Sequence, residues 1–304
     1  MSQYIRTNTQ FSDYANTRDT IRARHNELFE LGNTGVAIYG CGAIGSYTAG
    51  TLARCCVGRL VLNDDDKVSA ENIGVQDYTI PQLGKSIAYA LEQNIMSINP
   101  SVYTMPNAHR VGDGAYVNQL PYDCRRNEIN VHVIAIDNME ARANIAKLIF
   151  EWASGFSSDY IGQRSEQEQK FLFIDARMGA NTLQLHMLDC KYGLDGEVNR
   201  DYFNKYMDTW YSDEDGDREP CAARSTAYCS SFAGSIITSE IIKWVKNWEL
   251  QTEEVVFNFP NLMMEAKVAN NDRSRGYTVS SKTFVQKEKE IEEILEVTEV
   301  EPDS

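Results

Sequence analysis

The sequence predicts an α/β fold in which a doubly wound, mostly parallel sheet is followed by antiparallel strands. Up to about residue 150, short apolar runs typical of buried parallel strands alternate with segments of helical periodicity. A glycine-rich turn joins the first apolar run to the first helix, as in the opening unit of such sheets. After about residue 170, paired apolar runs flank short turns and therefore predict antiparallel strands.

The first unit is a strand, a turn and a helix. The apolar residues 36–39 lead without a spacer into a G-x-G-x-x-G pattern, which consists of Gly40, Cys41, Gly42, Ala43, Ile44 and Gly45. In this pattern the first glycine permits a tight turn, the second lets a phosphate approach the backbone, and the third allows close packing of the helix on the sheet. The helix, predicted over 43–56, would direct its first N–H groups at an anion.

A second apolar strand, 59–63, is followed directly by Asp64, nineteen residues after Gly45. A carboxylate at this place accepts hydrogen bonds from ribose hydroxyls. The unit therefore predicts a Rossmann-like nucleotide site, but this fold does not distinguish NAD, FAD and ATP.

The remaining elements follow in order along the chain. Before residue 150 we expect a polar loop at 67–76, a helix at 84–98, strands at 102–105 and 131–136, and a helix that begins after Asn138. Later we expect strands at 171–175 and 183–188, a polar and acidic loop at 193–220, a helix at 230–248, and a hairpin of 255–259 and 262–267.

These patterns divide the chain into three parts. Residues 1–33 form a polar N-terminal segment with a helical patch at 17–31, and residues 34–268 form the folded domain. Residues 269–304 are acidic and poor in apolar side chains, so we expect a largely disordered tail.

Composition narrows the class of protein. The net charge of −15 over 304 residues disfavours nucleic-acid binding, because a phosphate backbone would be repelled. No apolar run approaches the ~20 residues of a membrane span, and no apolar signal region opens the chain, so a cytoplasmic location is expected. The seven cysteines include no C-x-x-C pair, which argues against a structural zinc site and a disulfide framework.

Several separated motifs occur in a fixed order between about residues 35 and 267. After the glycine turn come Asp64-x-Asp66-x-Val68, Asn72-Ile73 with Gln76, Gly84-Lys85, Ile98-Asn99-Pro100, Asp137-Asn138 with Arg142, Cys221-x-x-x-Ser225, and Ser239-Glu240-Ile241-Ile242-Lys243. Their order and spacing resemble the ThiF/MoeB-type adenylyltransferases, a family related to ubiquitin-activating enzymes.

The resemblance implies ATP-dependent adenylation of the C-terminal carboxylate of a ubiquitin-like or sulfur-carrier protein that ends in glycine. It also implies Mg²⁺ as a cofactor and a homodimer. The implied nucleotide-binding residues are the glycine turn with Asp64, Asp66, Gln76, Lys85, Asp137 and Asn138. The implied catalytic residues are Asn72, Lys85, Asp137 and Cys221, and the implied metal ligand is Asp137.

Two of these residues suit the chemistry but also have structural interpretations. Lys85 could place a positive charge beside the phosphates, and Asp137 could hold Mg²⁺ through oxygen. Alternatively, Lys85 could be a solvated helix residue, and Asp137 with Asn138 could simply cap a helix.

Cys221 is the candidate nucleophile among the thiols. It lies beside Arg224 in the segment 193–229, which resembles the family's cysteine-bearing crossover loop. Exposure and a neighbouring cation can lower the pKa of a thiol, and the matching cysteine of the family accepts the activated carrier or a sulfur. The alternative is a small residue that merely precedes a helix. We expect the other thiols of the nucleotide unit, Cys41, Cys55 and Cys56, to be packing residues.

The sequence departs from the family in one charged position. The arginine of the family's N-L-x-R-Q motif falls on Val75, so a cation expected to contact phosphate is missing from its place. Arg142 or Arg177 could replace it, as could Arg18 reaching the site of a partner subunit. The missing C-x-x-C pairs are a second departure and imply a member without zinc.

Two other functions remain open from the residues. An NAD-dependent oxidoreductase would use the glycine turn and Asp64 equally well, but would leave Asn72, Lys85, Asp137 and the Cys221 segment without a joint role. A non-catalytic nucleotide-binding module would follow if the loss of the arginine at Val75 had abolished activity.

Overall fold

The computed structural model describes residue 20 and residues 31–110, 129–154, 171–179, 181–190, 203–210, 225–246 and 252–268. The expectations for most of the N-terminal patch, for Cys221 with Arg224, and for the tail 269–304 lie outside the described residues.

The described strands form one mixed sheet of eight strands in the order β3-β2-β1-β4-β5-β6-β7-β8. The parallel strands are β1 (Gly35–Tyr39), β2 (Arg59–Asn63), β3 (Tyr103–Asn107), β4 (Ile129–Ile134) and β5 (Phe171–Met178). The strands that continue the sheet in antiparallel fashion are β6 (Thr182–Cys190), β7 (Thr252–Asn258) and β8 (Met263–Val268). The predicted fold class, a Rossmann-like half followed by antiparallel strands, is thus confirmed.

Four long helices of the described chain pack on this sheet, namely α1 (Ala43–Arg54), α2 (Ile87–Ile98), α3 (Met139–Ser154) and α4 (Ala227–Val245). Helix α1 ends two residues before the prediction, because Cys56 has a φ of 60° and turns the chain toward β2. Helices α1 and α4 touch through their backbones: a Cβ on Gly234 would lie 2.8 Å from the amide nitrogen of Thr48.

Several predicted boundaries are wrong; the last long helix, for example, spans Ala227–Val245 rather than 230–248. Strand β4 spans 129–134 rather than 131–136, because the chain leaves the β5 pairing after Ile134 and turns toward α3. Helix α2 begins at Ile87 rather than near 84, because residues 84–86 pair with the loop after β2. The expected loop 193–220 contains a helical stretch at 203–207, where the buried Tyr206 joins an aromatic cluster.

Side chains of β1 alternate between two hydrophobic clusters, one on each face of the sheet. Val36 and Ile38 belong to the cluster that includes α1, α2 and α4, whereas Ala37 and Tyr39 belong to the cluster under α3. Burial on both faces is the usual condition of a parallel strand, and it leaves the ends of the strands as the place for a ligand.

One buried polar pair lies in the cluster under α3. The Tyr39 hydroxyl is 3.0 Å from Nδ1 of His132, and both side chains are completely buried. Burial lowers the pKa of His132 from its usual value to about 3. The folded protein therefore holds this imidazole neutral, and only the unfolded chain takes up a proton near pH 6.5.

Acidification should therefore destabilise the fold through His132. Because its folded pKa lies below its unfolded pKa, the stabilisation is complete above about pH 6.5 and is lost as the pH falls below it. Between pH 7.5 and 5.5 this group alone should lower the free energy of unfolding by about 1.3 kcal/mol. Urea unfolding of the wild type and of His132→Gln at both pH values measures this change in the free energy of unfolding. An identical pH dependence in the two proteins would contradict the assignment.

Candidate nucleotide site

The glycine turn after β1 is built for close approach of backbones. Gly40 has a φ of +87°, a conformation that side chains of L-residues rarely allow. A Cβ there would lie 2.6 Å from the carbonyl oxygen of Ala135, just beyond the end of β4. A Cβ on Gly45 would lie 2.0 Å from the carbonyl oxygen of Gly40, so the helix starts in direct contact with the turn. The roles predicted for these two glycines are consistent with this geometry.

Gly42, in contrast, meets only the side chain of Gln76 among the described residues. The nearest atom to a Cβ built there is Nε2 of Gln76, at 3.6 Å. No side chain within the described part of the protein caps the start of α1, so the N–H groups of Ala43, Ile44 and Gly45 keep their capacity to bind an anion. A phosphate can therefore reach the backbone at this point.

Asp64 is fixed beside the turn at the carboxyl end of β2. Its Oδ2 accepts a hydrogen bond from the amide of Cys41 at 2.8 Å, and its Oδ1 accepts one from the amide of Asp66 at 2.9 Å. Burial raises the pKa of Asp64 to about 6, against the opposing effect of these two hydrogen bonds. At neutral pH the carboxylate is thus mostly ionised, held in place, and able to accept hydrogen bonds from ribose hydroxyls.

The loop after β2 brings two predicted amides to the same edge. Asn72 begins a short 3₁₀ turn, and its Oδ1 accepts hydrogen bonds from the amide and hydroxyl of Ser69 at 2.7 and 3.0 Å. The half-buried Gln76 lies over Gly42, and its Oε1 accepts no hydrogen bond from the described residues. Gln76 therefore retains hydrogen-bonding capacity next to the turn.

Lys85 belongs to a short connection that is tied to this loop by its backbone. The amide of Val68 donates to the carbonyl of Lys85 at 2.9 Å, and the amide of Ile87 donates to the carbonyl of Asp66 at 2.9 Å. The Lys85 side chain itself is exposed, and its Nζ donates to Oε1 of Gln93 at 3.2 Å. The fold thus ties the Lys85 backbone to the edge that carries Asp66, while its ammonium group lies beside Gln93 of α2.

Asp137 and Asn138 follow β4 and have different roles. Oδ1 of Asn138 accepts a hydrogen bond from the amide of Ala141 at 2.7 Å, so this side chain caps the first turn of α3. Asp137 is exposed at the carboxyl edge of the sheet. The structural interpretation thus holds for Asn138, whereas the Asp137 carboxylate is free of such a capping bond in the described structure.

Electrostatic coupling joins this carboxylate to the loop after β2. The pKa of Asp66 is raised by partial burial and by the charges of Asp65 and Asp137, while Arg110 lowers it. Oxygen ligands that repel one another are the kind of site that Mg²⁺ stabilises, so the residues present fit a magnesium ion held by Asp137. Within the described ranges there is no cluster of three or more metal-binding side chains.

The two arginines suggested as substitutes for the missing cation are engaged elsewhere. Arg142 and Arg177 both form ion pairs with the fully buried Asp175, and both are themselves buried. Val75 is half-buried at the place of the family's arginine. Neither guanidinium is therefore available to a nucleotide, and these two alternatives are wrong.

Sequence reasoning missed two functional candidates. Arg110 lies three residues beyond β3 and is electrostatically coupled to Asp66; its signal was a basic residue just after a strand. Asp175 binds two arginines beside β4; its signal was a charge inside an apolar run.

The described thiols are consistent with packing roles. Cys41, Cys56 and Cys229 are buried, and Cys55 is half-buried. Burial and the nearby Asp64 charge raise the pKa of Cys41 well above its usual value, so this thiol is a poor nucleophile. The candidate nucleophile Cys221 lies outside the described residues.

No helix among the described segments is long and apolar enough to cross a membrane.

The fold and the site together define a nucleotide-binding α/β protein. The candidate ligand site lies where strand order reverses, between the carboxyl ends of β1 and β4, and it combines a glycine turn, a helix N-terminus and the carboxylate of Asp64. The chain belongs to the ThiF family, whose model matches residues 16–277. The resemblance inferred from the motifs is thereby confirmed.

Similar sequences include the ubiquitin-like modifier-activating enzyme 5 of several animals. The Gallus gallus enzyme is 34% identical over 123 residues, which cover 36% of this chain and 29% of that protein. The Culex quinquefasciatus enzyme is 31% identical over 125 residues, which cover 39% and 32%, respectively. The aligned part of this chain thus spans about a third of the length of these relatives.

Similar solved structures extend the likeness of fold over most of the chain. The crystal structure of PaaA matches with a TM-score of 0.58 and 18% identity, covering 88% of this chain and 76% of that one. The crystal structure of Escherichia coli MccB with ATP matches with a TM-score of 0.56 and 14% identity, covering 91% and 76%. At these identities the comparison establishes the shared fold.

Proposed function

We propose that this protein uses ATP and Mg²⁺ to adenylate a carboxylate at the C-terminus of a small protein or peptide. The observation that carries the proposal is that the glycine turn, Asp64, Asp137 and the backbone of Lys85 all lie at one edge of the sheet. Membership in the ThiF family and the likeness to MccB, which has been solved with ATP, support the choice of ATP over NAD.

Each residue has a physical role in this reaction. The glycine turn and the start of α1 bind phosphate, and Asp64 accepts the ribose hydroxyls. A substrate carboxylate oxygen attacks the α-phosphorus, the bond to pyrophosphate breaks, and an acyl-adenylate forms. Lys85 offsets the negative charge that builds up there, and Asn72 and Gln76 donate hydrogen bonds to the nucleotide. Mg²⁺ held by Asp137 would neutralise part of the phosphate charge.

The substrate that we propose is a ubiquitin-like or sulfur-carrier protein ending in glycine. Two comparisons support a small protein or peptide: relatives are named ubiquitin-like modifier-activating enzymes, and MccB has been solved together with MccA. The proposal includes a homodimer in the cytoplasm. Light scattering at micromolar concentration is expected to give twice the mass of the 34.4 kDa chain.

Isotope exchange between ATP and pyrophosphate tests the proposed reaction. Exchange should require Mg²⁺ and a carrier with a free C-terminal carboxylate, and a carrier with an amidated C-terminus is the matched control. Tight NADH binding without any response to ATP and Mg²⁺ would favour an oxidoreductase instead. ATP binding without exchange, over a panel of carriers, would favour the non-catalytic module.

Cys221 should be needed only after the adenylate has formed. A thiolate attacks an acyl-adenylate once that mixed anhydride exists, so Cys221→Ala should retain pyrophosphate exchange and form no reductant-sensitive adduct with the carrier. Non-reducing gels measure the adduct, and Cys229→Ala, which alters a buried thiol, is the control. Loss of exchange in Cys221→Ala would contradict the separation of the two steps. Absence of an adduct in the wild type would make Cys221 structural.

A further inference from the structure

A buried ion-pair cluster lies directly beside the end of β4. Asp175 of β5 pairs in register with Ile134, the last residue of β4, and its side chain is completely buried. Nη1 of Arg142 donates to Asp175 Oδ1 and also to the carbonyl oxygen of Ala176, the latter at 2.9 Å. Nε of Arg177 donates to Asp175 Oδ2 at 2.9 Å. One carboxylate thus holds two guanidinium groups.

The two guanidinium groups connect Asp175 to different parts of the protein. Arg142 lies in the first turn of α3, whereas Arg177 donates to the carbonyl and hydroxyl oxygens of Thr209, each at 3.0 Å. The Tyr206 hydroxyl also donates to Asp175, at 3.0 Å. Arg142 is therefore the one member of this described cluster that belongs to α3.

These contacts fix both ends of the segment between β4 and α3, which carries Asp137. The chain leaves β4 beside Asp175 and returns to the same carboxylate through Arg142, so residues 135–138 span two fixed points. On the other side, the amide of Ala135 donates to the carbonyl of Tyr39 at 2.7 Å. The exposed Asp137 thus stands on a backbone that is held at both ends.

We propose that Arg142 is a positioning residue, which holds the start of α3 against Asp175 and thereby fixes Asp137 for the metal and the nucleotide. The inference rests on the proposed function for the role of Asp137. A ligand that is misplaced by a fraction of an ångström loses much of its affinity, and partners that orient metal ligands typically contribute about 10- to 100-fold to metal affinity.

The alternative is that the cluster merely stabilises the fold. Loss of either arginine from a buried pair is destabilising in general, so stability alone cannot separate the two roles. The two arginines provide a matched pair for this purpose, because both donate to Asp175, both are buried, and only Arg142 reaches α3. Arg142→Lys and Arg177→Lys each keep the charge and lose the planar fork of donors.

Two measurements on the full chain distinguish the roles. The first is the Mn²⁺ dissociation constant in the presence of a non-hydrolysable ATP analogue, read by electron paramagnetic resonance. The second is hydrogen exchange of the amides of Ala141 and Arg142, which donate to Asn138 in the first turn of α3. Arg142→Lys is expected to weaken Mn²⁺ binding about 10-fold or more and to speed this exchange. Arg177→Lys is expected to change neither, although both variants lose stability.

Equal effects of the two variants on Mn²⁺ binding, or none from Arg142→Lys, would overturn the inference. If Arg142→Lys does not fold, Ala141→Gly loosens the same turn without touching the ion pairs, and unchanged Mn²⁺ binding in it would overturn the inference as well. If the wild type binds no ATP analogue, the proposed function fails by itself. Hydrogen exchange then decides the positioning role, since only Arg142→Lys should expose the start of α3.

Discussion

Replacing Asp137 by alanine is expected to lower ATP–pyrophosphate exchange by about 100-fold or more while the fold survives. Asp137 is exposed, so its loss leaves no cavity and no buried partner unsatisfied. It is nevertheless the carboxylate that follows β4 at the point where strand order reverses, and its charge raises the pKa of Asp66 across the site. In the proposed reaction, the metal that neutralises the phosphate charges would then lack its protein oxygen ligand.

Asp65→Ala is the matched control for Asp137→Ala. Asp65 is also an exposed carboxylate at the carboxyl edge of the sheet, and its charge also raises the pKa of Asp66. Both variants remove one negative charge, but only Asp137 follows β4 next to the start of α3. Exchange assays across a range of Mg²⁺ concentrations compare the two. Equal activity in both variants would remove Asp137 from the proposed site.

Alanine substitutions at Gly45 and Gly42 are expected to have opposite kinds of effect. In Gly45→Ala the new methyl group would lie 2.0 Å from the carbonyl oxygen of Gly40 and 3.1 Å from Cγ2 of Ile38. The backbone has to move, so we expect a loss of about 3 kcal/mol or more in the free energy of unfolding. In Gly42→Ala the methyl group meets no atom closer than Nε2 of Gln76, at 3.6 Å, so the loss of stability should be much smaller.

The Gly42 methyl group should instead obstruct the ligand. In the proposed site a phosphate reaches the N-terminus of α1 past Gly42, and the methyl group would stand in its way. ATP affinity should therefore fall about 10-fold or more, equivalent to about 1.4 kcal/mol. Urea unfolding and titration calorimetry with ATP separate the two effects. Wild-type ATP affinity in Gly42→Ala would show that the phosphate does not approach this turn.

Local patterns were sufficient to predict the parallel half of the sheet and the position of Asp64 beside the glycine turn. The chain places the glycine turn and Asp64 directly after two strands that are close in sequence. Their spacing therefore predicts that Asp64 lies beside the turn. The cap formed by Asn138 is also a local feature, because Asn138 lies only three residues before Ala141, whose amide donates the hydrogen bond to it.

Contacts between distant segments could not be predicted in this way. Arg142, Arg177 and Tyr206 meet at Asp175 only because the β4–β5 register, the start of α3 and the 203–207 helix converge there. Nothing near either arginine in the sequence indicates a buried carboxylate. Because the sequence does not reveal Asp175 as their partner, Arg142 and Arg177 could be interpreted as free cations. For this reason they were suggested as replacements for the arginine missing at Val75.

Transfer of oxygen from the substrate to AMP tests the central claim most directly. If a substrate carboxylate attacks the α-phosphorus of ATP, a carrier labelled with ¹⁸O in its C-terminal carboxylate must, after cleavage of the acyl-adenylate by a nucleophile at the acyl carbon, leave one ¹⁸O atom in AMP. Mass spectrometry of the released nucleotide is expected to find this label in the wild type and to find little labelled AMP in Asp137→Ala. Unlabelled AMP or ADP, with the new oxygen taken from water, would contradict adenylation and make the protein an ATP hydrolase.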